Sequence, residues 1–138
     1  MDEIIEMNNK RYIKTMREPN IIYFKKNDNS ECRITAIIYN KYNIKIEYWV
    51  SDGEEKGTGR VIMKDFLEYL LPKTVENDTN VLVSVDSKQV PNSRITVRDD
   101  EKLIKYYNSI GFIDETNWAG NTILSGKVGD IIDKILKY

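Results

Sequence analysis

Residues Ile44-Lys45-Ile46-Glu47-Tyr48-Trp49-Val50, followed by Ser51-Asp52-Gly53-Glu54-Glu55-Lys56-Gly57-Thr58-Gly59-Arg60, decide how this chain is read. The first seven alternate. Ile44, Ile46, Tyr48 and Val50 fall on one side of an extended segment, and Lys45, Glu47 and Trp49 on the other, the period of two expected of a β-strand. The polar loop from Ser51 to Gly59 then opens onto a different period. Ile62, Phe66, Tyr69 and Leu70 make a helical stripe, which Pro72 ends. Asn80 to Val85 follows as a nearly unbroken apolar run, suited to a central strand covered on both faces. Strand, helix and strand over Ile44 to Val85 form a crossover unit, which requires its two strands to pair in parallel.

On the N-terminal side, Arg33 to Tyr39 is rich in β-branched residues, and Ile21 to Phe24 reads as a short strand ending in the turn Asn27-Asp28-Asn29-Ser30. With the turn at Asn40 to Asn43, these segments and Ile44 to Val50 predict an antiparallel meander. Before them, Ile5, Tyr12, Ile13 and Met16 share one face of a helix over Ile4 to Met16, and Pro19 follows as a stop. Lys10, Lys14 and Arg17, from a basic cluster that includes Arg11, would share another face of that helix, a solvated face or a basic contact surface.

On the C-terminal side, Gln89 to Arg98 has no clear period, and Pro91 favours a loop. Asp100 is placed to cap a helix whose stripe is Leu103, Tyr107 and Ile110, with Gly111 at its left-handed C-terminal stop. Phe112 to Thr116 and Thr122 to Ser125 form a hairpin around Trp118-Ala119-Gly120-Asn121. Val128, Ile131, Ile132, Ile135 and Leu136 mark a last amphipathic segment. The expected fold is therefore one α+β domain over residues 1–138, with a central mixed, mainly antiparallel sheet flanked by helices.

Composition excludes much chemistry. The chain has no histidine, so a Ser-His-Asp triad, a Cys-His pair and every histidine-ligated metal are impossible within it. A single cysteine, Cys32, rules out an internal disulfide and a thiolate-rich zinc site. A formal net charge of −1 supplies no global attraction for nucleic acid or an anionic membrane. The acidic start and the lack of an apolar stretch near the roughly 20 residues that span a bilayer lead to the expectation of a cytoplasmic protein without membrane contact.

Two segments carry a candidate chemistry. Gly57 and Gly59 allow close backbone approach just where a helix begins, and its unpaired N–H groups favour an anion there. Lys56 and Arg60 are available counter-charges. The alternative reading of this loop is a tight strand-to-helix turn. The second segment is Asp100-Glu101-Lys102-Leu103-Ile104-Lys105-Tyr106-Tyr107-Asn108-Ser109-Ile110-Gly111-Phe112.

In these two segments the chain resembles the GNAT superfamily of acetyl-CoA-dependent N-acetyltransferases. That family often carries Arg/Gln-x-x-Gly-x-Gly/Ala at the helix after its fourth strand and Asn-x-x-Ala-x-x-x-Tyr-x-x-x-Gly-Phe on the helix after its fifth. Both patterns occur here in that order, and the resemblance covers about Ile44 to Ser125. Two residues depart from it, Glu54 in place of Arg or Gln and Asp100 in place of Asn. The resemblance implies a GNAT-like fold and acetyl-CoA as cosubstrate, with no metal. The backbone of Tyr48, Trp49 and Val50 would hold the pantetheine arm. Residues Glu54, Glu55, Lys56, Gly57, Thr58, Gly59 and Arg60, with Asp100 nearby, would hold the pyrophosphate. Tyr107 matches the tyrosine that protonates the departing thiolate. A phenol with an ordinary pKa of about 10 is protonated at neutral pH and suited to donate. Packing on the Leu103 and Ile110 stripe is the other reading of Tyr107.

Direct attack of a neutral amine on the thioester requires a base, and without histidine that base is a carboxylate or a water it holds. Glu47 is the first candidate and Asp52 the second; a solvated strand position is the other reading of Glu47. Carboxylates at Glu47, Asp52, Glu54 and Glu55 would steer a cationic acceptor such as a polyamine, and a protein amine is also open. Two other classes stay in view. One is a GNAT-like domain that binds acyl-CoA without turnover, and the other an unrelated α+β interaction module using the basic N-terminal helix.

Overall fold

A computed structural model describes residues 2–28, 31–51, 58–85 and 100–137. Its elements are β1 (Asp2–Met7), β2 (Lys10–Arg17), β3 (Ile21–Lys26), β4 (Arg33–Asn40), β5 (Asn43–Val50), α1 (Thr58–Leu70), β6 (Asn80–Ser84), α2 (Asp100–Ser109), β7 (Asp114–Trp118), β8 (Asn121–Lys127) and α3 (Val128–Ile135). The strands form one mixed sheet in the order β1-β2-β3-β4-β5-β6-β8-β7. β5 and β6 are its parallel neighbours, joined across α1, and the other neighbours run antiparallel. The expected α+β class, the meander β3-β4-β5, the crossover β5-α1-β6 and the C-terminal hairpin are all present.

The N-terminal segment corrects an expectation. Residues 4–16 are not helical; they are β1 and β2, paired from Asp2↔Thr15 to Met7↔Lys10. Asn8 and Asn9 turn the chain at φ 50° and 63°. Consecutive positive φ values make the tight hairpin turn whose twist matches its flanking strands, and asparagine tolerates that region. The shared basic face disappears with the helix. Lys10 and Lys14 lie on one face of β2, and Arg11 and Arg17 on the other.

The helices pack on one face of the sheet. Phe66 of α1 lies 5.4 Å from Phe24 of β3, which stacks on Tyr12 of β2 at 4.5 Å. Gly111, after α2, approaches Ile131 of α3, and its carbonyl lies so close to Gly126 of β8 that a Cβ there would be 2.0 Å from the oxygen. The core between these layers is Tyr12, Phe24, Ile34, Ile44, Ile62, Phe66, Leu70, Val81, Phe112, Leu124, Ile131 and their neighbours. The opposite face, with Ile13, Tyr23, Ile37 and Leu82 only half-buried, carries none of the three helices. The expected two-sided cover of β6 is therefore one-sided: Val81 and Val83 are buried, and Leu82 between them is not.

Gly111 adopts φ +108°, as its place after α2 predicts. The Phe112 amide donates to the Tyr107 carbonyl at 3.0 Å, satisfying one of the carbonyls that a helix end leaves unpaired. Asp100, expected as the cap, is itself helical and is the first residue of α2 among those described. Val128, Ile131 and Ile135 are the buried positions of α3, while Ile132 is half-buried and Leu136 exposed.

Candidate functional site

The geometry of interest begins with a β-bulge. Thr35 pairs with Tyr48 but Ala36 pairs with Ile46, so Glu47 is an extra residue in β5. A bulge breaks the alternation of side chains along its strand. Trp49 therefore sits opposite buried Ile34 on the helix-covered face, and Tyr48 sits opposite Thr35 on the open face, where it is 49% exposed. The alternation read from the sequence, with Tyr48 beside Ile46 and Trp49 opposed to them, holds only up to the bulge.

The bulge coincides with the end of the parallel ladder. β5 pairs with β6 from Asn43↔Asn80 to Ile46↔Val83 and then runs on to Val50. Among the described residues, the edge of β5 from Glu47 to Val50 that faces β6 has no strand against it. Beyond Val83, β6 keeps its other neighbour, with Ser84 opposite Ile123 of β8. The two parallel strands thus part at a defined point and leave backbone polar groups available, groups that need a partner wherever water is excluded.

Above this parting lies the first turn of α1. The Trp49 indole N–H donates to the Gly59 carbonyl at 2.8 Å, tying the helix start to β5. A Cβ on Gly59 would lie 3.4 Å from both Trp49 Nε1 and Ser51 Cβ, an ordinary contact distance that places the helix start directly against the end of β5. α2 adds the other wall. The Tyr107 ring stacks on Trp49 at 6.0 Å and 17°, with Phe112 5.7 Å behind it. Tyr106 lies 6.4 Å from Trp49, and the Arg60 guanidinium stands 5.3 Å above the Tyr106 ring. A cation held over an aromatic face at a helix N-terminus is an arrangement that accepts negative charge.

Of the residues singled out from the sequence, Trp49, Gly59, Arg60 and Tyr107 come together here. Val50 ends β5 beside them and is buried. Thr58 and Asp100 contribute the first residues of α1 and α2. Glu47 occupies the bulge, with its carboxylate 3.9 Å from Lys45 Nζ, both partly exposed. Asp52, Glu54, Glu55, Lys56 and Gly57 lie outside the described residues, as does the segment Gln89 to Arg98. Tyr106 and Phe112 were not singled out for the site, although Tyr106 adjoins Tyr107 and Phe112 belongs to the quoted Gly-Phe pair.

A second polar constellation escaped the sequence reading entirely. Asp65 of α1 is buried, at 2% exposure, and takes hydrogen bonds from the Tyr12 hydroxyl and, at 2.7 Å, from the Asn8 amide. Lys10 Nζ stands 3.7 Å away. Burial, and then the hydrogen bond to Asp65, hold the Tyr12 hydroxyl protonated well above the ordinary tyrosine range. The available signal was a carboxylate three residues after Ile62 and next to Phe66, on the apolar stripe of the helix. This cluster ties the β1–β2 hairpin to α1, with Asp65 and Tyr12 buried and Asn8 exposed at the rim, and its members lie on β2, the β1–β2 turn and α1 rather than at the parting of β5 and β6.

Compared with models of protein families, with curated proteins and with solved structures, the chain has no match in any of the three. Among the described residues, no helix is long and apolar enough to cross a membrane, and no group of acidic or cysteine side chains is arranged to hold a metal ion.

Proposed function

We propose that this chain is a GNAT-type N-acetyltransferase that moves an acetyl group from acetyl-CoA to an amine. The observation that carries the reading is the parting of β5 from β6 at the Glu47 bulge, capped by the start of α1 and walled by Tyr107. Three further features support it. The order of strands and helices from β3 to β8 provides the crossover and second helix on which the two sequence patterns were read. Both patterns begin or end at helix termini. The aromatic wall and Arg60 offer apolar surface and positive charge side by side, as a pantetheine arm and its pyrophosphate need.

Acetyl-CoA supplies the activated acyl group when bound. The chain's own tasks are to bind, to align and to move protons. The backbone edge from Glu47 to Val50, unpaired among the described residues, is suited to hydrogen-bond an extended amide-bearing ligand and to stabilise negative charge on a carbonyl oxygen. Arg60 and the α1 N-terminus attract anionic groups. The Tyr107 hydroxyl is the proton donor, and Glu47 the carboxylate nearest this edge along the chain. Turnover of acetyl-CoA with a panel of amines tests the reading. Tyr107→Phe is expected to lower kcat by about 100-fold, the low end for loss of a general acid, with acetyl-CoA binding retained.

One observation favours a second reading, a domain that binds acyl-CoA without turnover. Trp49 and Phe112 flank Tyr107, as they would a packing aromatic. That reading predicts binding without transfer to any amine, and indifference to the loss of the phenol oxygen.

A further inference from the structure

The open face of the sheet carries a groove of about 280 Å³ across β2, β3 and β4, whose lining includes Thr15, Arg17, Tyr23, Lys25, Arg33 and Thr35. In a chain of net charge −1, three cations gather on this one surface. Among the described residues Asp2 is the one acid that lines it, and it accepts a hydrogen bond from Thr15 Oγ1 at 2.6 Å. The Arg17 guanidinium lies 5.3 Å over the Tyr23 ring, which holds it in place with its edge available. Among the described residues, no carboxylate stands within ion-pair distance of Arg17 or Lys25, while Arg33 reaches Glu31 at 3.5 Å. Both Arg17 and Lys25 are exposed.

The groove adjoins the parting of β5 from β6. Arg33 pairs directly with Val50, and Thr35 with Tyr48, so its β4 wall lies one strand spacing, about 4.8 Å, from β5, whose far edge faces β6. The helices occupy the other face, so that among the described residues this side is open for a second ligand. The β1–β2 hairpin, standing where a helix was expected, extends the open surface instead of covering it.

We propose that this groove binds the anionic group of the acceptor, so that the substrate is an amine carrying a carboxylate or a phosphate. The proposal rests on the acetyltransferase reading for the word acceptor, though the anion site itself does not. It replaces the cationic acceptor expected from Glu47, Asp52, Glu54 and Glu55. Glu47, which lies among the described residues, has Lys45 beside it.

The test is a titration of the chain with phosphoserine, glutamate and spermidine, followed by amide NMR shifts and, in parallel, with acetyl-CoA. Expected are saturable shifts at Thr15, Tyr23 and Thr35 with phosphoserine or glutamate. The Arg17→Gln/Lys25→Glu double variant should bind about tenfold more weakly, as loss of a charge-assisted contact implies. Both side chains are exposed, and an unchanged circular-dichroism melting curve certifies the fold of the variant. The phosphoserine and glutamate arms separate the two anion sources. Spermidine binding where neither anionic amine does, or anionic binding that the double variant leaves untouched, would overturn the proposal. Acetylation of spermidine in preference to both anionic amines would overturn it while leaving the acetyltransferase reading intact. Anion binding in the groove of a chain that ignores acetyl-CoA would support the site and sink the reading it rests on.

Discussion

Asp65 and Tyr12 are the residues whose chemistry is most constrained by burial. Replacing Asp65 by Ala leaves the Tyr12 hydroxyl and the Asn8 amide without their acceptor, and a loss of about 1–3 kcal/mol in unfolding free energy is expected from denaturant titration. The same pair sets a pH dependence. The folded state holds the Tyr12 proton more tightly than the unfolded state does. This stabilisation is complete below the unfolded value of about 10 and is lost as pH rises above it. Melting temperature should fall steeply above that pH, and Tyr12→Phe should flatten the fall. Gly111 is constrained differently. Alanine there meets a positive φ and Ile131 backbone at 3.1 Å, so Gly111→Ala should destabilise by about 1–3 kcal/mol, read by thermal melting.

Between elements, Trp49 is the joint. Its indole hydrogen bond to Gly59 and its stack on Tyr107 connect β5, α1 and α2. Trp49→Phe keeps a ring but removes the donor, and a loss of about 1 kcal/mol is expected in chemical denaturation. The period of two and the period of 3.6 were enough to read β3, β4, β5, α1, β6, α2 and the β7–β8 hairpin in the sequence. The bulge was not legible, because an inserted residue that turns Trp49 toward the helices leaves no mark in composition. The β1–β2 hairpin was misread for a related reason. Ile5, Tyr12, Ile13 and Met16 fit a helical face, and only the turn-forming Asn8-Asn9 argued otherwise. Of the candidate site, Gly59 was legible as a glycine where a helix was expected to begin, and Tyr107 only through the family pattern that the second segment resembles. The Asp65 cluster depends on a contact 53 residues apart in sequence, which no local pattern records.

Over the whole molecule, α1, α2 and α3 cover one face of the sheet, and among the described residues no helix covers the other. β7 forms one rim of the sheet, with every residue exposed and Trp118 at 70%. Its amides should exchange with solvent faster than those of β4, which is paired on both sides. The two tryptophans fall in different settings, Trp49 at the parting of β5 and β6 and Trp118 at the far rim. A Trp118→Phe variant therefore leaves a single indole at the proposed site. The most direct measurement is the fluorescence of Trp49 in that variant during titration with acetyl-CoA, with ADP as control. A saturable change in Trp49 emission, stronger for acetyl-CoA than for ADP, is the predicted result. Emission unchanged at millimolar acetyl-CoA, from a chain that melts cooperatively, would contradict the assignment of this parting as an acyl-CoA site.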